Sequence, residues 1–154
     1  MRILSVATTH PRFDGDSEPA YVLALNRELV RRGHSVTTLV PHAQGAARRE
    51  SVDGVRIRRF RYFLPVSAQR LCYNGGILPN LRKSWIARSN LPFFVASQMA
   101  AVAREVISGS YDVVHSHWLI TSGVVGALAG GTARLPLVVT AHGSDVFTEN
   151  PLFV

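Results

Sequence analysis

One short stretch constrains the fold of this chain more than any other: an apolar, β-branched run that stops abruptly in polar residues. Residues Leu137 to Thr140 read Leu-Val-Val-Thr after Pro136 and are followed by Ala-His-Gly-Ser-Asp. An apolar run of this length is typical of a strand buried on both faces of a parallel sheet. Ligands of open parallel α/β sheets bind outside the carboxyl ends of the strands, so we expect His142 to lie at a binding site.

An earlier strand has the same arrangement of apolar residues followed by polar ones. The stretch from Tyr111 to Val114 predicts a strand, and it runs directly into His115, then His117 and Trp118. If the two strands are neighbours in the sheet, imidazoles from both of them line one cleft.

Apolar runs alternate with helical patterns along the whole chain, which predicts a doubly wound, Rossmann-like α/β fold with a mostly parallel sheet. The expected strand order is 3-2-1-4-5, which makes the first, fourth and fifth strands neighbours. The predicted strands cover residues 2–7, 35–40, 55–58, 112–114 and 137–140, and the main helices begin near residues 19, 92 and 119.

Local signals predict how two of these elements are built. Ser17 or Glu18 is expected to cap the first helix, with Pro19 in its first turn. The alternation of the third strand breaks at Arg58 and Arg59, which predicts a bulge or an early exit from the sheet, and its arginines are typical of an edge strand. The apolar stripe of the first helix is expected to comprise Val22, Leu25 and Leu29, with Tyr21 beside them.

Length and composition indicate one globular domain covering residues 1–154. The single cysteine, Cys72, excludes an internal disulfide and fits a reducing compartment, and no stretch resembles a signal peptide, so we expect a cytoplasmic protein. The net charge of +7 attracts anions. Aromatic residues are rarely interleaved with the basic ones, so we do not expect nucleic acid to be the partner.

The segment from Gln69 to Arg88 is basic and amphipathic, and two interpretations of it stay open. It could attach the protein to an anionic membrane surface, or it could be a solvated helix lying on the sheet.

The polar clusters allow several kinds of chemistry. Asp14, Gly15 and Asp16 could approach a ligand or could form an ordinary turn. The HxH sequence at His115 and His117 resembles a metal-binding pair, but the chain is too short for the barrel in which such pairs bind metals, so we expect no metal. No GxSxG motif is present, which argues against a serine hydrolase.

Four motifs in this order resemble the amino-terminal domain of family 4 glycosyltransferases of the GT-B fold. They are Phe-Asp-Gly-Asp at residues 13–16, Arg-Gly-His-Ser-Val at 32–36, Asp-Val-Val-His-Ser-His-Trp at 112–118 and Thr-Ala-His-Gly-Ser-Asp at 140–145. The resemblance extends over nearly the whole chain.

The resemblance implies transfer of a sugar from a nucleotide sugar to an acceptor hydroxyl, with retention at the anomeric carbon and without a cofactor. His142 matches the active-site histidine that reaches the donor sugar, and Gly15 matches a glycine near the donor phosphates, with Asp16 beside it as a second donor-binding residue. The residues at the positions expected to contact the acceptor are His117, Trp118, Ser144 and Asp145.

In this family the amino-terminal domain holds the acceptor and the carboxyl-terminal domain holds the nucleotide. The chain is therefore expected to lack the donor-binding domain and to be inactive alone. An uncovered sheet edge would favour self-association into a dimer. The partners implied are a nucleotide-sugar donor and a sugar or lipid-linked acceptor, the latter at the cytoplasmic face of a membrane. The alternative function is a non-catalytic module that binds an anionic sugar, lipid or polynucleotide.

Overall fold

The computed structural model describes residues 1–18 and 20–146, which form a six-stranded sheet with helices on both faces. The strands are β1 (Arg2–Val6), β2 (Ser35–Pro41), β3 (Arg49–Val52), β4 (Val55–Phe60), β5 (Val113–His117) and β6 (Leu137–Thr140). The helices are α1 (Tyr21–Arg31), α2 (Ile77–Lys83), α3 (Trp85–Ser108), α4 (Val124–Thr132) and α5 (Gly143–Val146), with a 3₁₀ turn at Val66–Ala68 and a π turn at Leu119–Gly123.

The strand order is β3-β4-β2-β1-β5-β6, and all neighbours are parallel except β3 and β4. The predicted order of five strands, 3-2-1-4-5, is confirmed, because it corresponds to β4-β2-β1-β5-β6. Strand β3 is an addition that the sequence analysis missed. Its sequence, Arg-Glu-Ser-Val, has no apolar run and is largely exposed, so it carries little strand signal.

Strand β4 differs from its prediction in two ways. It is paired on both sides, by β2 and β3, so it is not an edge strand. Its register against β2 runs without interruption from Arg56 to Phe60, so there is no bulge or early exit. The alternation only seemed to break because Arg59 lies on the same face as Val55 and Ile57 and is buried there, where its guanidinium contacts Glu50 at 2.6 Å.

Two apolar cores lie on opposite faces of the sheet. Helix α1 packs on β2 and β4 and covers a core that includes Ile3, Val36 and Ile57. Helices α3 and α4 cover the other face, where Leu4 and Phe94 are fully buried. None of the helices in the described ranges is long and apolar enough to cross a membrane.

Helix α1 begins later than predicted and lacks the predicted cap. It starts at Tyr21 with Ala20 at the N-cap and no side-chain cap, so the prediction that Ser17 or Glu18 caps it is wrong. Pro19 lies outside the described residues. The carboxylate of Glu18 instead accepts a hydrogen bond from the backbone N–H of Asn74, 2.7 Å away.

The buried stripe of α1 also differs from the predicted one. Val22, Leu23 and Asn26 are buried, whereas Leu25 is 39% exposed. The stripe passes through Asn26 because its amide donates to the hydroxyls of Ser5 and Thr38, at 3.0 and 2.9 Å. Hydrophobic periodicity excludes asparagine from a core stripe, so it could not find this position.

Helix α3 begins at Trp85, seven residues before the predicted start at Pro92. Ser84 is its N-cap, and the Ser84 hydroxyl accepts a hydrogen bond from the backbone N–H of Ala87. Pro92 lies inside the helix. Helix α4 packs closely on the sheet at Gly126, because a Cβ atom there would overlap the hydroxyl of Ser116 in β5.

Strand β6 is more exposed than predicted. Val138 and Val139 are 51% and 36% exposed, so the prediction of a strand buried on both faces is wrong for the described structure. The reason is position: among the described residues β6 is the last strand of the sheet, and α1 covers β2 and β4 at the other side. Apolar composition predicts that a strand seeks burial, but it does not specify which element covers it.

Candidate active site

The candidate active site lies where β5 and β6 end side by side. The two strands are parallel with His117 opposite Thr140, and the backbone N–H of Trp118 donates to the carbonyl of Thr140 at 3.1 Å. Because this pairing continues to the last residue of each strand, the segments that follow both strands emerge at the same edge. The prediction that the polar residues after these two strands meet is confirmed.

Two histidines form the centre of the site. His117 Nδ1 lies 3.2 Å from His142 Nε2, and the two rings are stacked with their centroids 5.4 Å apart. The side chain of His117 is almost completely buried, whereas His142 is partly exposed. His117 therefore holds the imidazole that faces the solvent-accessible edge. Contact of His117 with the acceptor stays a prediction.

Both histidines are neutral at pH 7. Burial lowers the pKa of His117 to about 3, assisted by the repulsion that His115 and His142 would exert on it if they were protonated. Burial also lowers the pKa of His142, and Asp145 partly opposes that effect. Each neutral imidazole has one N–H donor and one acceptor nitrogen, so the contact between them fixes which nitrogen carries the proton.

The direction of this hydrogen bond follows from the other nitrogen of His117. Its Nε2 is buried and has no hydrogen-bond partner within residues 1–18 and 20–146. A buried N–H without a partner is rarer in proteins than an unpaired acceptor. The network therefore assigns the proton to His117 Nδ1, which donates to His142 Nε2, and leaves His142 with its own proton on Nδ1.

Aromatic rings surround His142 on two sides. The centroid of the Trp118 ring is 4.6 Å from that of His142, and the Tyr21 ring centroid is 4.8 Å away. Trp118 has φ of +69°, a conformation that is strained for a bulky residue. Strain of this kind is concentrated at functional sites.

Tyr21 is a site residue that the sequence analysis did not identify. The helical pattern placed it beside the core stripe of α1, but its side chain is 43% exposed and packs against His142. Its position as the first residue of a helix that follows β1 was the available signal. In a parallel sheet such residues lie at the carboxyl edge, beside the other strand ends.

Asp145 connects the segments that follow the two strands. Its carboxylate Oδ2 accepts hydrogen bonds from the backbone N–H groups of His142, at 3.0 Å, and Leu119, at 3.3 Å. Its own backbone N–H donates to the carbonyl of His142 at 2.8 Å. Asp145 thereby orients the backbone that carries His142. Its predicted contact with the acceptor remains a prediction, and the side chain of Ser144 lies outside the described part of the structure.

His115 lies behind the central pair. Its Nε2 is 2.8 Å from the hydroxyl of Thr140, and its ring centroid is 4.3 Å from that of His117. Burial lowers the pKa of His115 as well. Within the described residues no group of three or more His, Cys, Asp or Glu side chains is arranged to hold a metal ion.

The loop after β1 contains Gly15 and Asp16. The Asp16 carboxylate accepts from the Arg12 guanidinium, at 2.7 and 2.8 Å, and from the Arg12 backbone N–H at 2.8 Å. These contacts hold the pKa of Asp16 well below its usual range. Gly15 has φ of +76° with open space around it. No contact in the described residues joins either one to His142, and their donor-binding roles stay predictions.

A small cavity of about 120 Å³ lies beside Trp118 and Asp145. Thr8 from the loop after β1 forms one part of its wall, and the start of α2 forms another. The first, fourth and fifth predicted strands therefore all contribute to the edge that holds this cavity. From the α2 side, the residues that line it are Gly75, Gly76, Ile77, Leu78 and Pro79.

Comparison with known proteins agrees with this architecture. Residues 19–152 match the family described as a glycosyl transferase 4-like domain. The chain is 30% identical over 138 residues to a D-inositol 3-phosphate glycosyltransferase of Nocardioides sp. strain JS614. That alignment covers 84% of this chain and 25% of the relative, so the chain spans about a quarter of the length of that protein. The chain belongs to the glycosyl transferase 4-like domain family of the family 4 glycosyltransferases.

Proposed function

We propose that this chain is the acceptor-side domain of a retaining glycosyltransferase that moves a sugar from a nucleotide sugar to an acceptor hydroxyl. One observation carries the proposal: His142 is partly exposed at the carboxyl edge of the sheet and is held there by His117. A side chain positioned so firmly beside open space is suited to contact a substrate. Family membership supports glycosyl transfer as the reaction.

The electrostatics of the pair suit this reaction. Glycosyl transfer develops positive charge on the donor sugar ring, as in an oxocarbenium ion, while a diphosphate leaves. A protonated His142 would repel that positive charge. Burial keeps His142 neutral, and in the tautomer assigned above it offers a hydrogen bond from Nδ1 to a hydroxyl of the donor sugar.

The loop after β1 suits a position near the donor diphosphate. Gly15 leaves its surroundings open, so a phosphate can approach the backbone closely there. A free Asp16 carboxylate would repel a phosphate. Because Arg12 neutralises this carboxylate, Asp16 instead organises the loop. Under this proposal Gly15 contacts the donor directly, and Asp16 shapes the loop that presents it.

The cavity beside Trp118 and Asp145 is our candidate for the acceptor subsite. Sugars and cyclitols pack against aromatic rings through their C–H faces and bind carboxylates through their hydroxyls, and both groups are present here. The name of the relative, D-inositol 3-phosphate glycosyltransferase, makes a phosphorylated cyclitol the first acceptor to assay. Ser144 is proposed as a further acceptor contact.

A lipid-linked acceptor is the second possibility to assay. The start of α2 lines the cavity, and the last turn of the same helix carries Arg82 and Lys83, followed by Trp85, which is 75% exposed. Basic residues next to an exposed tryptophan favour contact with an anionic membrane surface. Helix α2 would then connect the membrane to the acceptor cavity.

The test is a transfer assay in which this chain is joined to a donor-binding domain and supplied with a panel of nucleotide sugars and both acceptor types. We expect a product whose anomeric configuration, read by NMR, is the same as that of the donor. Inversion would contradict the retaining mechanism. Absence of transfer with every donor would favour the alternative of a non-catalytic binding module.

A further inference from the structure

A second concave site lies far from His142, between helix α3 and the outer strands β3 and β4. This groove has a volume of about 730 Å³, within the range of pockets that hold small molecules. Strands β2 and β1 separate it from β5 and β6 in the sheet, so it is remote from the candidate active site. We call it the arginine groove, after the six arginines that line it: Arg48, Arg49, Arg58, Arg59, Arg61 and Arg104.

Two of the six arginines are already neutralised within the protein. Arg58 contacts Glu105 at 2.6 Å, and the buried Arg59 contacts Glu50 at the same distance. Arg59 also donates to the carbonyls of Ala47 and Pro11, at 2.7 and 2.8 Å. These two side chains shape the groove and are not available to a ligand.

The other four arginines are exposed and unneutralised. In residues 1–18 and 20–146, no carboxylate lies within 4 Å of the guanidinium of Arg48, Arg49, Arg61 or Arg104. Three of them come from the strand side of the groove and one comes from α3. Their mutual repulsion is unfavourable, and an anion bound between them would remove it.

The groove fits phosphate better than a single carboxylate. A guanidinium presents a planar fork of N–H donors that matches phosphate oxygens in pairs, and four forks around one cavity suit an anion with several charges. The floor is apolar, with Leu39 and Phe60 below and Ala100 and Ala101 on the helix side. Such a floor favours the carbon skeleton of a small phosphorylated molecule.

A polynucleotide fits the groove poorly. Single-stranded nucleic acids require exposed aromatic rings on which the bases stack. Phe60 is the one aromatic residue among those that line the groove in the described structure, and it is only 8% exposed because it packs against Phe94.

We propose that the arginine groove binds a multivalent phosphate-bearing anion, with Arg49 and Arg104 gripping it from the strand side and the helix side. The site is independent of the transfer reaction proposed above. Two sources share this chemistry, a soluble oligophosphate and the headgroup of a phospholipid. Both are negatively charged through phosphate oxygens, so only the form of the ligand separates them.

The experiment is titration calorimetry of the chain with tripolyphosphate at low ionic strength, in parallel with sedimentation of phosphatidylcholine vesicles that contain phosphatidic acid. The test variant is Arg49→Gln with Arg104→Gln. Its matched control is Arg31→Gln with Arg32→Gln, which removes two exposed charges at the C-terminal end of α1 and the residue after it. Glutamine keeps most of the side-chain length, and circular dichroism with thermal unfolding verifies that both variants fold like the wild type.

We expect saturable binding by the wild type, weakened about tenfold or more by the groove variant and less than twofold by the control. Loss of tripolyphosphate binding alone identifies a soluble ligand, whereas loss of vesicle binding as well identifies a headgroup. The proposal would be overturned if the wild type bound neither tripolyphosphate nor the vesicles saturably. It would also be overturned if the groove variant and the control variant weakened binding equally.

Discussion

His117 Nδ1 lies 3.2 Å from His142 Nε2, which couples a buried imidazole at the end of β5 to a partly exposed one just after β6. Within the described residues the His117 imidazole has no other hydrogen-bond partner, since its Nε2 is unpaired. It can therefore donate from Nδ1 to His142 without losing a second hydrogen bond. Two strands that pair in parallel therefore determine both the position and the tautomer of the residue we propose to contact the donor sugar.

His142→Ala is expected to lower kcat/KM at least tenfold, about 1.4 kcal/mol of transition-state stabilisation, when the chain is joined to a donor-binding domain. The thermal unfolding of the variant should match that of the wild type, because the His142 side chain is partly exposed and contributes little to the core. Steady-state kinetics and calorimetry check the two parts. Wild-type turnover in the variant would remove His142 from the mechanism.

His117 is expected to act by positioning His142, which a pair of variants can separate from a purely structural role. His117→Asn keeps an N–H donor near the position of Nδ1, whereas His117→Ala does not. We expect Asn to retain several-fold more activity than Ala. Nitrogen-15 NMR of His142 should show the Nδ1-protonated tautomer in the wild type and the Asn variant, and a mixture of tautomers in the Ala variant. Identical spectra in all three would contradict the assignment.

The unfolding free energy is expected to fall as the pH is lowered from 7 towards 4. His10 is fully buried, and burial lowers its pKa from 6.5 to about 4, opposed by a hydrogen bond to the Pro11 carbonyl. Below pH 6.5, His10 binds a proton in the unfolded chain but stays unprotonated in the folded protein until the pH approaches 4. The contribution of neutral His10 to the unfolding free energy is therefore fully present above pH 6.5 and is lost as the pH falls towards 4. This loss amounts to roughly 3 kcal/mol.

Urea unfolding at several pH values tests this, with His10→Asn as the comparison. Asparagine cannot be protonated in this range, so the loss of stability between pH 7 and pH 4 should be roughly 3 kcal/mol smaller in the variant. His115, His117 and His142 have lowered pKa values too, so part of the pH dependence should persist. The same pH dependence in the variant and the wild type would exclude a contribution from His10.

The segment from Gln69 to Arg88 is expected to bind anionic vesicles in a salt-sensitive way if the acceptor is lipid-linked. Arg82→Ser with Lys83→Ser should weaken binding to the vesicles about thirtyfold, because each charge near the surface contributes about 1 kcal/mol. Trp85→Ala should weaken it at all salt concentrations, because Trp85 is 75% exposed and can enter the interface. Equal binding to neutral vesicles would argue against this role.

Residues 1–154 by themselves are expected to transfer no sugar and to bind nucleotide sugars weakly. The proposed site has one face, at the ends of β1, β5 and β6, and a single face cannot exclude water or enclose a departing diphosphate. Calorimetry with a nucleotide-sugar panel and a radiolabelled transfer assay measure the two quantities. Micromolar donor binding, or transfer by this chain alone, would show that the division of roles between two domains is wrong.

Interpretation of the sequence succeeded where a local pattern specifies a face or an order. Apolar runs separated by helical segments predicted the parallel strands and their order, because a crossover helix needs a parallel neighbour and has one preferred hand. The histidines after β5 and β6 were found in the same way, since the carboxyl ends of parallel strands share one edge.

Interpretation of the sequence failed where the environment of a residue depends on a partner far away in the chain. The run of arginines in β4 predicts an edge strand, yet Arg59 is buried because its guanidinium contacts Glu50 and donates to two carbonyls from other segments. The sequence does not show that Arg12 holds the carboxylate of Asp16, whose donor-binding role stays a prediction. The helical pattern places Tyr21 beside the core stripe of α1. Only the tertiary structure, in which His142 follows β6, shows that the Tyr21 ring packs on His142.

The sequence by itself determined the α/β fold, the order of the five parallel strands and the edge at which the imidazoles gather. These follow from hydrophobic period and chain connectivity, which are local properties that every segment carries in its own residues. The tertiary structure decided which polar groups are satisfied, which strand is left exposed and which nitrogen of His142 accepts a hydrogen bond. Those depend on contacts between residues far apart in the chain, such as His117 and His142, whose distances only the packed structure sets.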